Sequence, residues 1–117
     1  MYKISKQFSF SASHVLDQLD EGHPCARLHG HNYKVKVYLQ AEMLDGYGFV
    51  RDYRDLDAVK HFIDEKLDHR HLNDVLPFPP TAEHIARFLY EQFKPELPEL
   101  SAVEVCETPQ TSCLYEP

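Results

Sequence analysis

The sequence lacks the features that mark membrane and secreted proteins. No stretch approaches the about 18 apolar residues that a membrane-spanning helix needs. Residues 1–10, MYKISKQFSF, lack the apolar run and cleavage site of a signal peptide. The cysteines, Cys25, Cys106 and Cys113, are odd in number and show no paired spacing, which favours reduced thiols over a disulfide framework. We therefore expect a cytoplasmic protein with no membrane partner.

The chain also lacks an excess of basic residues. It carries 12 Lys and Arg against 19 Asp and Glu, a net charge of -7, whereas nucleic-acid-binding proteins usually show a basic surface. We therefore expect no nucleic-acid partner, although a few local cations can still bind a small anionic substrate. The 117 residues contain no linker or repeat, which predicts one domain spanning residues 1–117. Eight histidines are the unusual feature of the composition.

Alternating apolar and polar residues predict the strands. Residues 2–14 and 29–42 alternate over their whole length, as expected for strands with one buried face. Shorter strands are predicted at residues 49–50, 102–107 and 113–115. These strands, separated by helical segments, indicate an α+β fold. Because a small sheet exposes its edges, we expect an oligomer that continues the sheet across subunits.

Two segments have helical periodicity. Residues 54–67 place apolar side chains on one side, and Asp52, which precedes them, is the predicted N-cap. Three prolines then interrupt the chain, and Thr81 is positioned to cap a second helix with Ile85 and Leu89 facing inward.

Three histidines are candidate metal ligands. The strand period places His29 and His31 on one apolar face, and His14 ends the apolar face of the other long strand. If the two strands pair, three imidazoles can bind one zinc ion and leave one tetrahedral position open, as in catalytic sites. The alternative is that these are ordinary strand histidines with local hydrogen bonds.

Cys25, four residues before His29, is close enough in sequence to lie near this site. As a fourth ligand it would close the site and make it structural, whereas as a free thiolate it would serve as a base or nucleophile. Asp68 and His69 are adjacent at a predicted helix end, and together form either a catalytic pair or a solvated helix terminus. Glu107 continues the buried face of its strand, where a carboxylate needs a partner such as the N–H groups of a ligand.

Five motifs together resemble the 6-pyruvoyl-tetrahydropterin synthase family. They are FSASH at 10–14, HGHNY at 29–33, LDHRHLN at 67–73, PTAEHIA at 80–86 and CET at 106–108. Three residues separate Cys25 from His29, and this spacing is similar to the family's 6-carboxytetrahydropterin synthase branch, which acts in queuosine biosynthesis. The pyruvoyl branch typically has more residues there.

The resemblance implies a zinc ion, a general base, a proton-shuttling pair and a group of substrate-binding residues. The zinc ligands would be His14, His29 and His31; the catalytic residues Cys25, Asp68 and His69; the pterin anchor Glu107, with Thr81 and Glu83 nearby; and the triphosphate candidates Arg27, Lys34 and Lys36.

The resemblance also implies a tunnelling fold, in which an antiparallel four-stranded sheet carries two helices on one face. Three subunits would close a barrel, and two such rings would stack into a hexamer with active sites between subunits. The implied substrate is 7,8-dihydroneopterin triphosphate, and the products are 6-carboxytetrahydropterin, acetaldehyde and triphosphate. Two alternatives remain: the pyruvoyl reaction on the same substrate, and a non-catalytic zinc protein whose metal is enclosed by one cysteine and three histidines.

Overall fold

One long antiparallel hairpin organises the computed structural model, which describes residues 1–117. Its strands are β1, Tyr2–His14, and β2, His29–Ala41. They pair along their whole length, from Tyr2 opposite Ala41 to His14 opposite His29. Burial of one face fixes the register of a strand pair. The candidate ligands His14 and His29 therefore lie opposite each other at the end of the hairpin.

Three further strands complete a five-stranded sheet in the order β3-β1-β2-β4-β5. Strand β4, Leu100–Thr108, is antiparallel to β2, and β5, Thr111–Tyr115, is antiparallel to β4. Strand β3, Arg70–His71, runs parallel to β1. The sheet therefore differs from the expected four antiparallel strands, since it is mixed and has one strand more. Two polar residues carry no periodic signal from which β3 could be predicted.

The predicted strand at residues 49–50 is wrong, because this segment belongs to a turn. The Asp45 carboxylate accepts hydrogen bonds from the backbone amides of Tyr47 and Phe49 at 2.9 and 3.0 Å. Gly48 has a φ of 88°, which glycine adopts without steric cost. The Asp45 carboxylate thus accepts the backbone N–H bonds that a neighbouring strand would otherwise accept.

Three α-helices are present instead of two: α1, Asp57–Lys66; α2, Leu72–Val75; and α3, Ala82–Phe93. Asp52 is an N-cap as predicted, but it caps a 3₁₀ turn, Tyr53–Leu56, that precedes α1. The Thr81 hydroxyl accepts a hydrogen bond from the His84 amide at 3.2 Å, which confirms it as the N-cap of α3. The single turn of α2 is too short for a periodic signal.

The core lies between one face of the sheet and helices α1 and α3. Its largest fully buried side chains include Tyr33, Leu39, Ile63 and Leu89, and burying each of the three aliphatic ones contributes about 1.5–3 kcal/mol. The opposite face of β1 and β2 is polar and largely exposed. None of the helices combines the length and the apolar character needed to cross a membrane. The α+β class is confirmed.

Candidate metal centre and active site

Three histidines converge where the hairpin ends. One ring nitrogen from each of His14, His29 and His31 lies within 4.8 Å of the other two. Strand β1 supplies His14, which is fully buried, while β2 supplies His29 and His31 from alternate positions on the same face. The side-chain period of two and the antiparallel register together bring the three rings to one point.

Backbone carbonyls fix the orientation of two of these rings. His14 Nδ1 donates to the Pro80 carbonyl at 2.8 Å, and His29 Nδ1 donates to the Arg27 carbonyl at 2.6 Å. A carbonyl can only accept, so each Nδ1 carries the proton and each Nε2 presents a lone pair when the ring is neutral. Metal-ligating histidines are usually held in this way.

The two Nε2 atoms of His14 and His29 lie only 2.8 Å apart. With both Nδ1 positions protonated, two lone pairs face each other, an arrangement that becomes favourable when a cation lies beside both. Burial, the largest cause, lowers the pKa of His14, which favours the neutral form that binds a metal. Three imidazole nitrogens are also a donor set that suits zinc, so the residues present fit a zinc ion.

Gly30, between the candidate ligands His29 and His31, lets β1 and β2 approach closely. A Cβ atom at this position would lie 3.2 Å from the Ala12 carbonyl oxygen, tighter than most such contacts. Residue 30 therefore contributes to the site through the space it leaves for the neighbouring backbone.

Cys25 lies in a 3₁₀ turn, Pro24–Ala26, within the loop that joins β1 to β2. Its carbonyl accepts a hydrogen bond from the Leu16 amide at 3.0 Å, which ties the loop back to the residues that follow His14. The thiol is partly exposed, and its sulfur is not among the ligand atoms that converge within 4.8 Å. The group of atoms that could hold a metal ion thus consists of the three histidines without Cys25.

Asp68 and His69 form a contact despite being adjacent in sequence. His69 has a φ of 58°, and this left-handed backbone brings its Nδ1 to 2.9 Å from Asp68 Oδ2. The Ser11 amide donates to Asp68 Oδ1 at 2.9 Å, and this bond, followed by the contact with His69, holds the pKa of the carboxyl below its usual value. The His69 side chain is 83% exposed, and it lines an open cleft of about 470 Å³ that His31 also lines.

Glu107 lies beside the histidines, a proximity that sequence reasoning missed. Its Oε2 atom is 3.5 Å from His14 Nε2 and 3.6 Å from His31 Nε2. The same side chain lines a pocket of about 320 Å³ with Glu83 and Cys113. A molecule bound to Glu107 in this pocket would therefore lie next to the histidine cluster.

The remaining candidates are dispersed around the site. Thr81 uses its hydroxyl to cap α3 and lines a separate pocket of about 420 Å³. Arg27 is exposed, and its contact with the site is the carbonyl that orients His29. Lys34 and Lys36 line a cleft of about 700 Å³ that also reaches His31 and Glu107.

Two groups that contact His14 were not among the site residues predicted from the sequence. The Pro80 carbonyl orients His14, and the buried Tyr33 hydroxyl lies 3.3 Å from the same ring nitrogen. Burial, the largest cause, together with the nearby charge of Glu107, raises the pKa of Tyr33. A backbone carbonyl is present at every residue, so its role emerges only from the tertiary structure.

The protein thus combines a mixed α+β fold with a three-histidine cluster at the end of a hairpin. The family model of 6-pyruvoyl tetrahydropterin synthase matches residues 3–117. The chain belongs to this family of pterin synthases.

Individual relatives cover almost the whole chain. It is 33% identical to 6-carboxy-5,6,7,8-tetrahydropterin synthase of Haemophilus influenzae, with 99% of each chain covered. It is 37% identical to the Synechocystis enzyme of the same name, over 98% of this chain and 93% of the relative. The solved structure of Caenorhabditis elegans 6-pyruvoyl tetrahydropterin synthase superimposes with a TM-score of 0.86 at 28% identity, covering 99% of this chain and 95% of that one. The tunnelling fold of the family is therefore present here.

Proposed function

We propose that this protein is a zinc-dependent 6-carboxytetrahydropterin synthase of the queuosine pathway. The observation that carries the proposal is the convergence of His14, His29 and His31 beside the carboxylate of Glu107. The names of the Haemophilus and Synechocystis relatives support the reaction, as does the short spacing between Cys25 and His29. The substrate would be 7,8-dihydroneopterin triphosphate.

The histidines would hold zinc through their Nε2 atoms, since the Nδ1 atoms of His14 and His29 donate to carbonyls. Bound zinc would supply Lewis-acid chemistry to the hydroxyl groups of the substrate's side chain. Cys25, whose sulfur lies outside the histidine cluster, would remain available as a base.

Proton transfer would fall to Cys25 and to the pair formed by Asp68 and His69. Cys25, as a thiolate, would remove the proton at the side-chain carbon. Asp68 contacts His69 Nδ1 at 2.9 Å, which fixes the tautomer and leaves Nε2 free to exchange a proton with the substrate.

The pterin ring would lie in the pocket that Glu83 and Glu107 line. The Glu107 carboxylate can accept two N–H bonds from the amino-pyrimidine edge, a geometry that favours strong hydrogen bonds. Because its other contacts are His14 and His31, the ring would be anchored with the side chain directed to the metal centre. Thr81 begins the helix that carries Glu83 and would fix the wall of this pocket.

The triphosphate would bind to positively charged side chains on the polar face of the sheet. Lys34 and Lys36 are neighbours on this face of β2 and line the cleft that reaches His31. Arg27 is exposed at the rim of the hairpin loop. Loss of triphosphate, internal redox and carbon–carbon cleavage with entry of water would give the carboxylate and acetaldehyde, without an external redox cofactor.

The functional unit would be a cytoplasmic homohexamer with active sites between subunits. Strand β5 leaves one edge of the sheet unpaired, and the exposed ring of His69 at the opposite edge is available to a neighbouring subunit. Native mass spectrometry tests the assembly, and a monomer that remains active would contradict it.

The decisive experiment is incubation of the zinc-loaded protein with 7,8-dihydroneopterin triphosphate, followed by identification of the products. Acetaldehyde together with 6-carboxytetrahydropterin is expected. A 6-pyruvoyl product without acetaldehyde would favour the reaction for which the Caenorhabditis relative is named. No turnover, with a thiol that zinc protects from alkylation, would favour a non-catalytic protein with Cys25 as a fourth ligand.

A further inference from the structure

The Asn73 side chain holds the backbone of the residue that follows His14. The Val15 amide donates to Asn73 Oδ1 at 2.9 Å, and Asn73 Nδ2 donates to the Val15 carbonyl at 2.8 Å. One side-chain amide thus satisfies both polar groups of one residue, as a neighbouring strand would. Among the twenty side chains, only a short carboxamide offers a donor and an acceptor in this spacing.

This contact continues the pairing between β1 and β3 beyond the end of β3. Ser13 lies opposite His71, the last residue of β3, and the chain then turns into α2 at Leu72. Fully buried Leu72 fixes the start of α2, and Asn73 is the next residue. Its side chain takes the place of the strand that ends there and pairs with both backbone polar groups of Val15.

The same segment also orients the metal-ligating ring. His14 lies between Ser13, which contacts His71 Nδ1 through its hydroxyl at 3.0 Å, and Val15, which Asn73 holds. The Pro80 carbonyl, farther along the segment, accepts from His14 Nδ1. The backbone and ring of His14 are therefore held by one stretch of chain, residues 71–80.

The residue that follows Val15 is hydrogen-bonded to the loop that carries Cys25, the predicted base. Leu16, which follows Val15, donates its amide to the Cys25 carbonyl at 3.0 Å. The backbone of residues 14–16 thus links the end of β1 to the turn that carries Cys25.

We propose that Asn73 is a positioning residue for the metal centre, which holds His14 in ligating geometry by clamping the Val15 backbone. This inference rests on the proposed zinc site and adds a residue outside the ligand set. Without the clamp, the last residues of β1 gain freedom, and His14 must be ordered when the metal binds. Metal affinity falls as a result, even though all three ligands remain.

The test measures binding of zinc and cobalt(II) by full-length Asn73→Ala and Asn73→Asp variants. Competition with a chromophoric chelator gives the affinity, and the visible absorption of bound cobalt reports ligand geometry. Asn73→Ala is expected to weaken binding by about 10- to 100-fold, the range for groups that orient metal ligands, and to change the cobalt spectrum. Asn73→Asp keeps an acceptor for the Val15 amide but loses the donor, so an intermediate loss is expected.

Val59→Ala is the matched control for general destabilisation. Val59 is fully buried on α1, so its truncation leaves a cavity that lowers thermal stability. None of the hydrogen bonds made by residues 14–16 involves Val59. Unchanged metal affinity in this control, together with weaker binding in both Asn73 variants, supports the proposal.

Two results would overturn it: parental affinity and cobalt spectrum in Asn73→Ala, or an equal loss of affinity in Val59→Ala. Failure of the parent protein to bind either metal is a different outcome, since it removes the proposed zinc site itself and the inference with it.

Discussion

Replacement of His29 by alanine tests the metal centre directly. The ring is one of the three that converge, and its one hydrogen bond outside this cluster goes to the Arg27 carbonyl. That bond contributes about 0.5–1.5 kcal/mol, so the metal-free variant should remain folded. The expected effect is loss of the stabilisation that zinc gives to the folded chain.

The size of this effect can be worked out from mass action. A ligand that binds the folded state alone, at a free concentration of 100 times its Kd, stabilises it by about 2.7 kcal/mol. At about 2.1 cal/mol/K per residue, the 117 residues have an unfolding entropy of about 0.25 kcal/mol/K. Zinc should therefore raise the Tm of the parent protein by about 11 °C. If His29→Ala weakens binding about 100-fold, the same zinc concentration gives about 0.4 kcal/mol, or about 2 °C.

Differential scanning calorimetry in EDTA and in buffered zinc measures both shifts. His84→Ala is the matched control, because His84 is an exposed histidine whose Nδ1 donates to the Pro79 carbonyl at 2.7 Å and which lies outside the cluster. It should retain the full zinc-dependent shift. An undiminished shift in His29→Ala would refute the assignment of this cluster as the metal centre.

Three further predictions concern the chemistry around the metal. Cys25→Ala should lower kcat by about 10²–10⁴-fold, the usual contribution of a general base, with zinc content unchanged; loss of zinc would identify the cysteine as a ligand. Glu107→Gln should weaken binding of 7,8-dihydroneopterin by about 10- to 100-fold, because hydrogen bonds to a charged group contribute about 1.5–3 kcal/mol, and an unchanged Kd in a fluorescence titration would contradict the anchor. Asp68 has a lowered pKa in the folded state, so it stabilises the fold at neutral pH, and that stability is lost as the pH falls below the ordinary carboxyl pKa of about 3.9. The gap in unfolding free energy between the parent and Asp68→Asn, measured with urea, should therefore shrink on acidification, and a gap independent of pH would show that the carboxyl charge contributes nothing.

The long strands could be predicted because each has one buried face. Alternation over residues 2–14 and 29–42 gave β1 at its observed bounds and β2 to within one residue. The same period placed His29 and His31 on one face. The cap at Thr81 was also predictable, since a side-chain oxygen before an apolar helical pattern has a local function.

Short elements and turns could not be predicted in this way. Strand β3 and helix α2 have two and four residues, too few to repeat any period. The segment at residues 49–50 was misread as a strand because the contacts of Asp45 with two nearby amides, and not the apolar side chains, decide its shape.

The sequence by itself determined which chemical groups are available: three imidazoles, a thiol, an Asp-His pair and a carboxylate, each on a strand or loop whose type follows from local pattern. Only the tertiary structure decided how these groups meet. The register of β1 on β2 brings His14 to His29, and the path of β4 brings Glu107 to within 3.6 Å of the ring nitrogens of two of the histidines. Folding alone brings the carbonyl of Pro80 to the ring of His14, and the side-chain amide of Asn73 to the backbone of Val15. The physical reason is that side-chain periodicity is a local property, whereas pairing between strands and contacts with backbone groups depend on how distant segments pack around one core.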